Sequence, residues 1–123
     1  MSISSGEVMT FMYQLPFPPS TNHIYSRTKR GGVMLNPKAK AYREEVIYMI
    51  GKGHTTLTGP IKVSVDVFMP DKRKRDLDNT QKAIFDSLTH AGVWKDDSQI
   101  KQIIITNCGI ESPGRVLVSV SQI

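Results

Sequence analysis

An α+β fold is predicted for this chain: one small domain spanning 1–123, with about four strands in a mixed sheet and two helices covering one face. Three observations predict it. Two stretches alternate apolar and polar residues with a period of two, from Met9 to Leu15 and from Ile61 to Met69. Two others repeat apolar residues at helical spacing, from Ala39 to Ile50 and from Ile84 to Ala91. Strand and helix signals are interspersed along 123 residues, a length that builds one core.

Residues Met1 to Glu7 are mostly polar and are expected to be flexible. Phe11, Tyr13 and Leu15 then follow Met9 at a spacing of two, and two aromatics in so short a run favour a strand over a helix. Pro16, Pro18 and Pro19 end it, because proline donates nothing to a ladder. Lys29-Arg30-Gly31-Gly32 is a basic turn, and its flanks, carrying Tyr25 and Val33, predict a short hairpin arm. Asn36-Pro37 opens the first helix: the asparagine accepts from exposed N–H groups, and proline's fixed φ suits the first helical position. Ala39, Tyr42, Val46, Met49 and Ile50 make its apolar face, Lys38, Lys40 and Arg43 fall mostly off it, and Gly51 and Gly53 mark its end.

Gly59-Pro60 opens the clearest strand. Ile61, Val63, Val65, Val67 and Met69 alternate with Lys62, Ser64, Asp66 and Phe68, so one face is buried and the other partly wet. A second helix is expected from about Asn79 to His90, with Asp78 as its cap and Gln81, three residues on, completing a capping-box pattern. Ile84, Phe85, Leu88 and Ala91 form its apolar face, and Gly92 stops it. Ile100 to Thr106 and Arg115 to Val120 are two further strands; Gly109, Ser112, Pro113 and Gly114 between them predict a hairpin.

Composition excludes several classes of function. No stretch approaches the roughly 20 apolar residues of a membrane helix, and the first residues lack the charged-then-apolar order of a leader peptide. A single cysteine, Cys108, forms no internal disulfide and no multi-thiolate zinc cluster, so a reducing, cytoplasmic setting is expected. Neither a P-loop nor a dinucleotide-binding glycine pattern is present, so no nucleotide cofactor is expected. Sixteen Lys and Arg against eleven Asp and Glu give a net charge of +5. A basic domain of this size suits a polyanionic partner, because neutralised phosphates release counterions; plain solubility is the other reading.

The stretch from Asp71 to Asn79 concentrates the chemistry. Lys72, Arg73, Lys74 and Arg75 are consecutive cations that repel one another and do not belong in a core. They form either a solvated loop or a cradle for phosphates. Asp76 and Asp78 follow at the mouth of a helix. If the segment is extended, residues two apart point the same way, and converging carboxylates bind magnesium, a hard cation that prefers oxygen. Helix capping accounts for Asp78 but not for Asp76. A second acidic pair, Asp96 and Asp97, lies beyond a helix roughly 18 Å long, so the chain must turn back, or a partner subunit must help, for the pairs to meet. Lys82 stands four residues after Asp78, on the same side of the helix, where it either stabilises developing charge on phosphate or pairs with Asp78 or Asp86. His23, His54 and His90 show no metal-ligand spacing, Cys108 reads as a buried or incidental thiol, and Trp94 is expected to pack on the helix end.

The ordered set RDLDN, QKAIFDSL and AGVWKDD, together with LPFPPSTNHIY and AYREEV nearer the start, resembles the RusA-type Holliday junction resolvases, phage- and prophage-associated endonucleases. The likeness covers most of the chain and is weakest before the first strand and from Gly51 to Thr58. It implies a homodimeric, Mg²⁺-dependent nuclease that nicks four-way DNA junctions symmetrically during recombination and repair. It implies metal-binding and catalytic roles for Asp76, Asp78 and Asp97, and a catalytic role for Lys82, with Asp96 a less certain participant. The cations Lys72, Arg73, Lys74 and Arg75, with Arg27, Lys29 and Arg30, are then expected to hold the junction arms. The competing expectation is a basic protein that binds branched DNA without cutting it; retaining so many carboxylates argues against that, since binding alone would gain from removing them.

Overall fold

The computed structural model describes residues 9–19, 25–27 and 29–123. The expectation of a flexible head at Met1 to Glu7, and the reading of His23, fall outside the described residues. Among the described residues, six strands and two helices follow in order: β1 (Thr10–Pro16), β2 (Tyr25–Arg27), β3 (Val33–Leu35), α1 (Pro37–Ile50), β4 (Ile61–Met69), α2 (Leu77–His90), β5 (Ile100–Ile110) and β6 (Arg115–Gln122). A single 3₁₀ turn, Asp97–Gln99, precedes β5. The main sheet is mixed, in the order β1-β6-β4-β5, and β2 and β3 form a separate antiparallel arm.

The period of two in β4 becomes its burial pattern. Ile61, Val63, Val65, Val67 and Met69 are buried, as are Val116, Val118 and Val120 of β6, which pair with its central residues. Both helices cover this side. Tyr42 and Val46 of α1 join Ala83, Ile84, Phe85 and Leu88 of α2 in one cluster with the strand valines. Each fully buried aliphatic side chain contributes roughly 1.5–3 kcal/mol, so this layer carries the fold. The opposite face is the wetter one; there Arg115 lies over the ring of Phe68, 4.0 Å from its centroid.

The first helix starts as expected: Asn36 accepts from the Lys38 N–H at 2.9 Å, with Pro37 next. Its buried stripe runs Ala39, Tyr42, Val46, while Met49 lies half exposed, one step round the helix beyond the stripe's edge. The phenol of Tyr42 donates to the carbonyl of Pro16 at 2.8 Å, tying α1 to the end of β1.

Two expectations are corrected. The strands β5 and β6 do not form a hairpin: β5 runs parallel to β4, and β6 pairs antiparallel with β4 on its other side. Parallel neighbours need a long crossover, and α2 supplies it. The turn from β5 to β6 therefore straddles the end of β4. The N–H of Glu111 donates to Met69 there at 2.8 Å, and Gly114, at φ +90°, leaves no room for a Cβ, which would lie 3.0 Å from Pro70. Nor does Asp78 cap α2. The helix begins earlier, so that Leu77 packs on the core, and Asp76 takes the N-cap position. A capping box does exist, on the 3₁₀ turn: Asp96 accepts from Ser98, and Gln99 reaches back to Asp96. Among the described residues, no helix is long and apolar enough to cross a membrane.

Candidate functional site

The loop leaving the carboxyl end of β4 carries the basic run straight to the first turn of α2. At its end Asp76 has an extended backbone, φ −79° and ψ 130°, and its side chain makes no cap hydrogen bond. Asp78 lies in the first helical turn. Both are exposed, and among the described residues neither carboxylate is engaged in a hydrogen bond or an ion pair. Two uncommitted carboxylates at a helix N-terminus sit where negative charge is favoured. As a hard, all-oxygen donor pair open to water, they fit a hard divalent cation that completes its shell with waters and substrate phosphates.

The loop is held by a residue that sequence reasoning passed over. Asp71 accepts two parallel bonds from Arg75, Nη1 to Oδ1 and Nη2 to Oδ2, and a third from the Arg73 N–H at 2.9 Å. The Arg75 side-chain bond first, then the Arg73 N–H, hold the Asp71 carboxyl down at about 2. Arg75 also lies over the ring of Phe17, 5.5 Å from its centroid. Of the four consecutive cations, Arg75 is thus turned inward, with 15% of its side chain exposed, whereas the Arg73 side chain is 82% exposed. Lys72 and Lys74 are exposed as well. The spacing of Asp71 to Arg73 and to Arg75, two and four residues, is the signal that could have revealed this knot. Beside the loop opens a groove of ≈ 570 Å³, walled by Lys72 to Asp76 on one side and by Asn107, Gly109 and Ile110 of β5 on the other.

The second acidic pair divides its work. Asp96 is the cap of the 3₁₀ turn, and hydrogen bonds from the Ser98 side chain and then its backbone hold its carboxyl below the usual range. Asp97 instead faces α2: its Oδ1 lies 2.7 Å from the Thr89 hydroxyl and 3.1 Å from the Trp94 indole nitrogen. Trp94 packs on the helix end as expected, fully buried, edge-on to Phe85 with ring centroids 6.0 Å apart. Gln99 staples the turn, accepting from the N–H groups of Lys95 and Asp96 and donating to the carbonyls of Leu57 and Gly59.

Thr89 stands eleven residues beyond Asp78 on α2, so Asp97 is set roughly 16 Å along the helix from Asp78. One chain therefore brings Asp76 and Asp78 together in sequence and space but holds Asp97 at the other end, and the described residues contain no cluster of three or more metal-ligating side chains. Lys82 is exposed between the two ends and, among the described residues, has no carboxylate partner. Asp86, one of its expected partners, is taken by Arg43. Lys29 and Arg30 are exposed at the turn of the β2–β3 arm, and Arg27 belongs to β2. His54 donates from Nε2 to the Ala91 carbonyl, 2.8 Å away, and is structural; Cys108 is exposed rather than buried.

The family described as Endodeoxyribonuclease RusA matches residues 16–121. A protein of Escherichia coli (strain K12) named Crossover junction endodeoxyribonuclease RusA is 37% identical over 115 residues, covering 92% of this chain and 95% of that protein. One from Enterobacteria phage 82 with the same name is 39% identical over 116 residues, with the same coverage. A third, from Shigella sonnei (strain Ss046), is 37% identical over 115 residues.

Proposed function

Because this chain belongs to the RusA endodeoxyribonuclease family, we propose that its carboxylates form the centre of a metal-dependent endonuclease that resolves four-way DNA junctions by paired nicks. The observation that carries the reading is the pair Asp76 and Asp78: exposed, uncommitted, and placed where a basic loop delivers a phosphate backbone to a helix N-terminus. A protein that only bound branched DNA would hold it better without them.

Asp76, Asp78 and Asp97 would hold Mg²⁺. Bound there, the ion would supply Lewis-acid polarisation of the scissile phosphate and would lower the pKa of an attacking water. The chain's own residues do the rest. Exposed Lys72, Arg73 and Lys74 neutralise phosphates along the groove and fix the strand's register without reading bases. Lys29 and Arg30 extend the basic surface onto the arm, with Arg27 in its first strand. Arg75 acts indirectly, by folding the loop around Asp71. Lys82, uncommitted and on the same helix side as Asp78, offsets charge that builds on phosphate in the transition state.

The separation of Asp97 from Asp78 favours a homodimer. A twofold-related copy running antiparallel along α2 would bring the partner's Asp97 to the Asp76–Asp78 end, giving two equal centres for a substrate close to twofold symmetric. Such an enzyme would act in recombination and repair in the cytoplasm.

The deciding experiment is cleavage of a synthetic four-way junction against linear duplex of the same sequence, with and without Mg²⁺, by the wild type and Asp78→Asn. Paired nicks confined to the junction, dependent on the metal and abolished in the variant while junction binding persists, are expected. Tight binding without cutting under any divalent ion would leave a junction-binding protein and overturn the reading.

A further inference from the structure

We propose that Thr89 and Trp94 are positioning residues for Asp97: a relay from the buried indole through the threonine hydroxyl fixes Oδ1 of Asp97 and leaves Oδ2 as its metal-facing oxygen. The proposal rests on the reading of Asp97 as a ligand given above.

The hydrogen-bond accounting has one sensible solution. The Trp94 N–H lies 2.7 Å from the Thr89 oxygen and 3.1 Å from Asp97 Oδ1, so it donates chiefly to the hydroxyl. A hydroxyl has one proton and can also accept. Thr89 has two acceptors in reach, the Phe85 carbonyl at 2.8 Å and Asp97 Oδ1 at 2.7 Å. The Phe85 carbonyl, four residues back inside α2, is already the acceptor of the helical N–H of Thr89. The carboxylate is charged, and charge-assisted bonds are about twice as strong as neutral ones. The proton therefore goes to Asp97, and the chain of donors runs Trp94, Thr89, Asp97.

Burial makes this relay rigid. Trp94 is 0% exposed, clamped by Phe85 at one edge, and its strand-like backbone bridges Leu57. The carboxylate it serves is exposed. A fixed interior donor thus aims a surface ligand, and among the described residues Oδ2 has no hydrogen-bond partner. This is the arrangement by which outer-shell groups orient ligating carboxylates, and losing such a partner typically costs 10–100-fold in metal affinity. The alternative is that Thr89 and Trp94 only pin the turn; Gln99, with two bonds at the turn and two from it to the Leu57 and Gly59 carbonyls, already does so without them.

Two readouts test it. Trp94 is the only tryptophan, so its indole ¹⁵N–¹H resonance needs no assignment and reports the relay independently of activity. In the wild type it should be shifted downfield and protected from exchange, should move on adding Mg²⁺, and should change position in Thr89→Val, where its nearer acceptor is lost. In parallel, Thr89→Val should raise the Mg²⁺ concentration for half-maximal junction cleavage by about tenfold or more, with junction affinity in Ca²⁺ unchanged, and Thr89→Ser should restore both. Thr89→Ala, as a second variant, should behave like valine and covers a folding failure of the first. An unchanged Mg²⁺ midpoint in Thr89→Val or Thr89→Ala, alongside an inactive Asp97→Asn, would overturn the proposal while leaving Asp97 in the site. Normal cleavage by Asp97→Asn would instead remove Asp97 from the site and the relay's purpose with it.

Discussion

Arg43 of α1 grips Asp86 of α2 through two parallel hydrogen bonds, Nε to Oδ2 and Nη2 to Oδ1, each 2.9 Å long. The contact ties together the two helices that cover the sheet, and both side chains are less than one-fifth exposed. Bidentate geometry and partial burial set it apart from an ordinary surface pair. Arg43→Ala should lower stability by roughly 1.5–3 kcal/mol, the worth of hydrogen bonds to a charged group. Urea denaturation checks this, and an unchanged midpoint would assign the pair no structural role. The same pair leaves Lys82 uncommitted, so Arg43→Ala should also draw Lys82 toward Asp86 and slow cleavage at saturating Mg²⁺ more than it weakens junction binding.

A second prediction concerns pH. The Asp71 carboxyl is held at about 2 by Arg75 and the Arg73 N–H, against about 3.9 in an unfolded chain. A depressed folded value means that the knot's stabilisation is complete above the unfolded value and is lost as pH falls through the folded one. The loop should thus stay ordered at pH 4 and loosen towards pH 2. Carbon-detected NMR of the aspartate carboxyls should find one midpoint near 2, returning to the normal range in Arg75→Met. A normal Asp71 midpoint in the wild type would show that the knot does not form.

How much of this was legible beforehand depends on whether a feature is local. The helix start at Asn36-Pro37, the period of two in β4 and the basic arm turn at Lys29 to Gly32 are set by neighbours in sequence, and each appears where the pattern places it. The pairing of β5 with β4 is not local. Glycines and a proline before β6 signal a turn but say nothing about which strand comes to lie between, and only the crossover through α2 decides it. The acidic site divides in the same way. Asp76 and Asp78 stand out by spacing, whereas the bond from Thr89 to Asp97 spans a helix stop and a turn that no period describes. Asp71 was hidden for another reason: beside four cations it reads as loop punctuation, until Arg75 is seen folded back onto it.

That inward turn of Arg75 separates the four consecutive cations by role. Each phosphate contact made by Lys72, Arg73 or Lys74 contributes about 0.9 to the slope of log affinity against log salt for duplex DNA. Alanine at any of the three should weaken junction binding and flatten that slope by about one contact. Arg75→Met should leave the slope near its wild-type value while loosening the loop, seen as a lower melting temperature or faster proteolysis there. Fluorescence anisotropy with a labelled junction across a salt series distinguishes the two. A slope change at Arg75 equal to that at Lys74 would make Arg75 a direct contact.

The last prediction follows from the distance of roughly 16 Å that α2 sets between Asp78 and Asp97. If each centre joins Asp76 and Asp78 of one chain to Asp97 of the other, subunit mixing has a definite signature. Asp78→Asn and Asp97→Asn homodimers should each be inactive, because every centre lacks one carboxylate. In the mixed dimer both defects fall in one centre, and the other is intact. Mixing the two inactive proteins should therefore restore nicking of one strand per junction, with little paired resolution, and the rate should rise with the fraction of mixed dimer. If each chain completed its own centre, mixing would restore nothing, since both centres would stay broken. The experiment needs subunits that exchange, and size-exclusion chromatography should show twice the chain's mass before and after mixing. A monomer at micromolar concentration, or silence after verified exchange, would return Asp97 to the chain that carries it and require that chain to move by the length of its own helix.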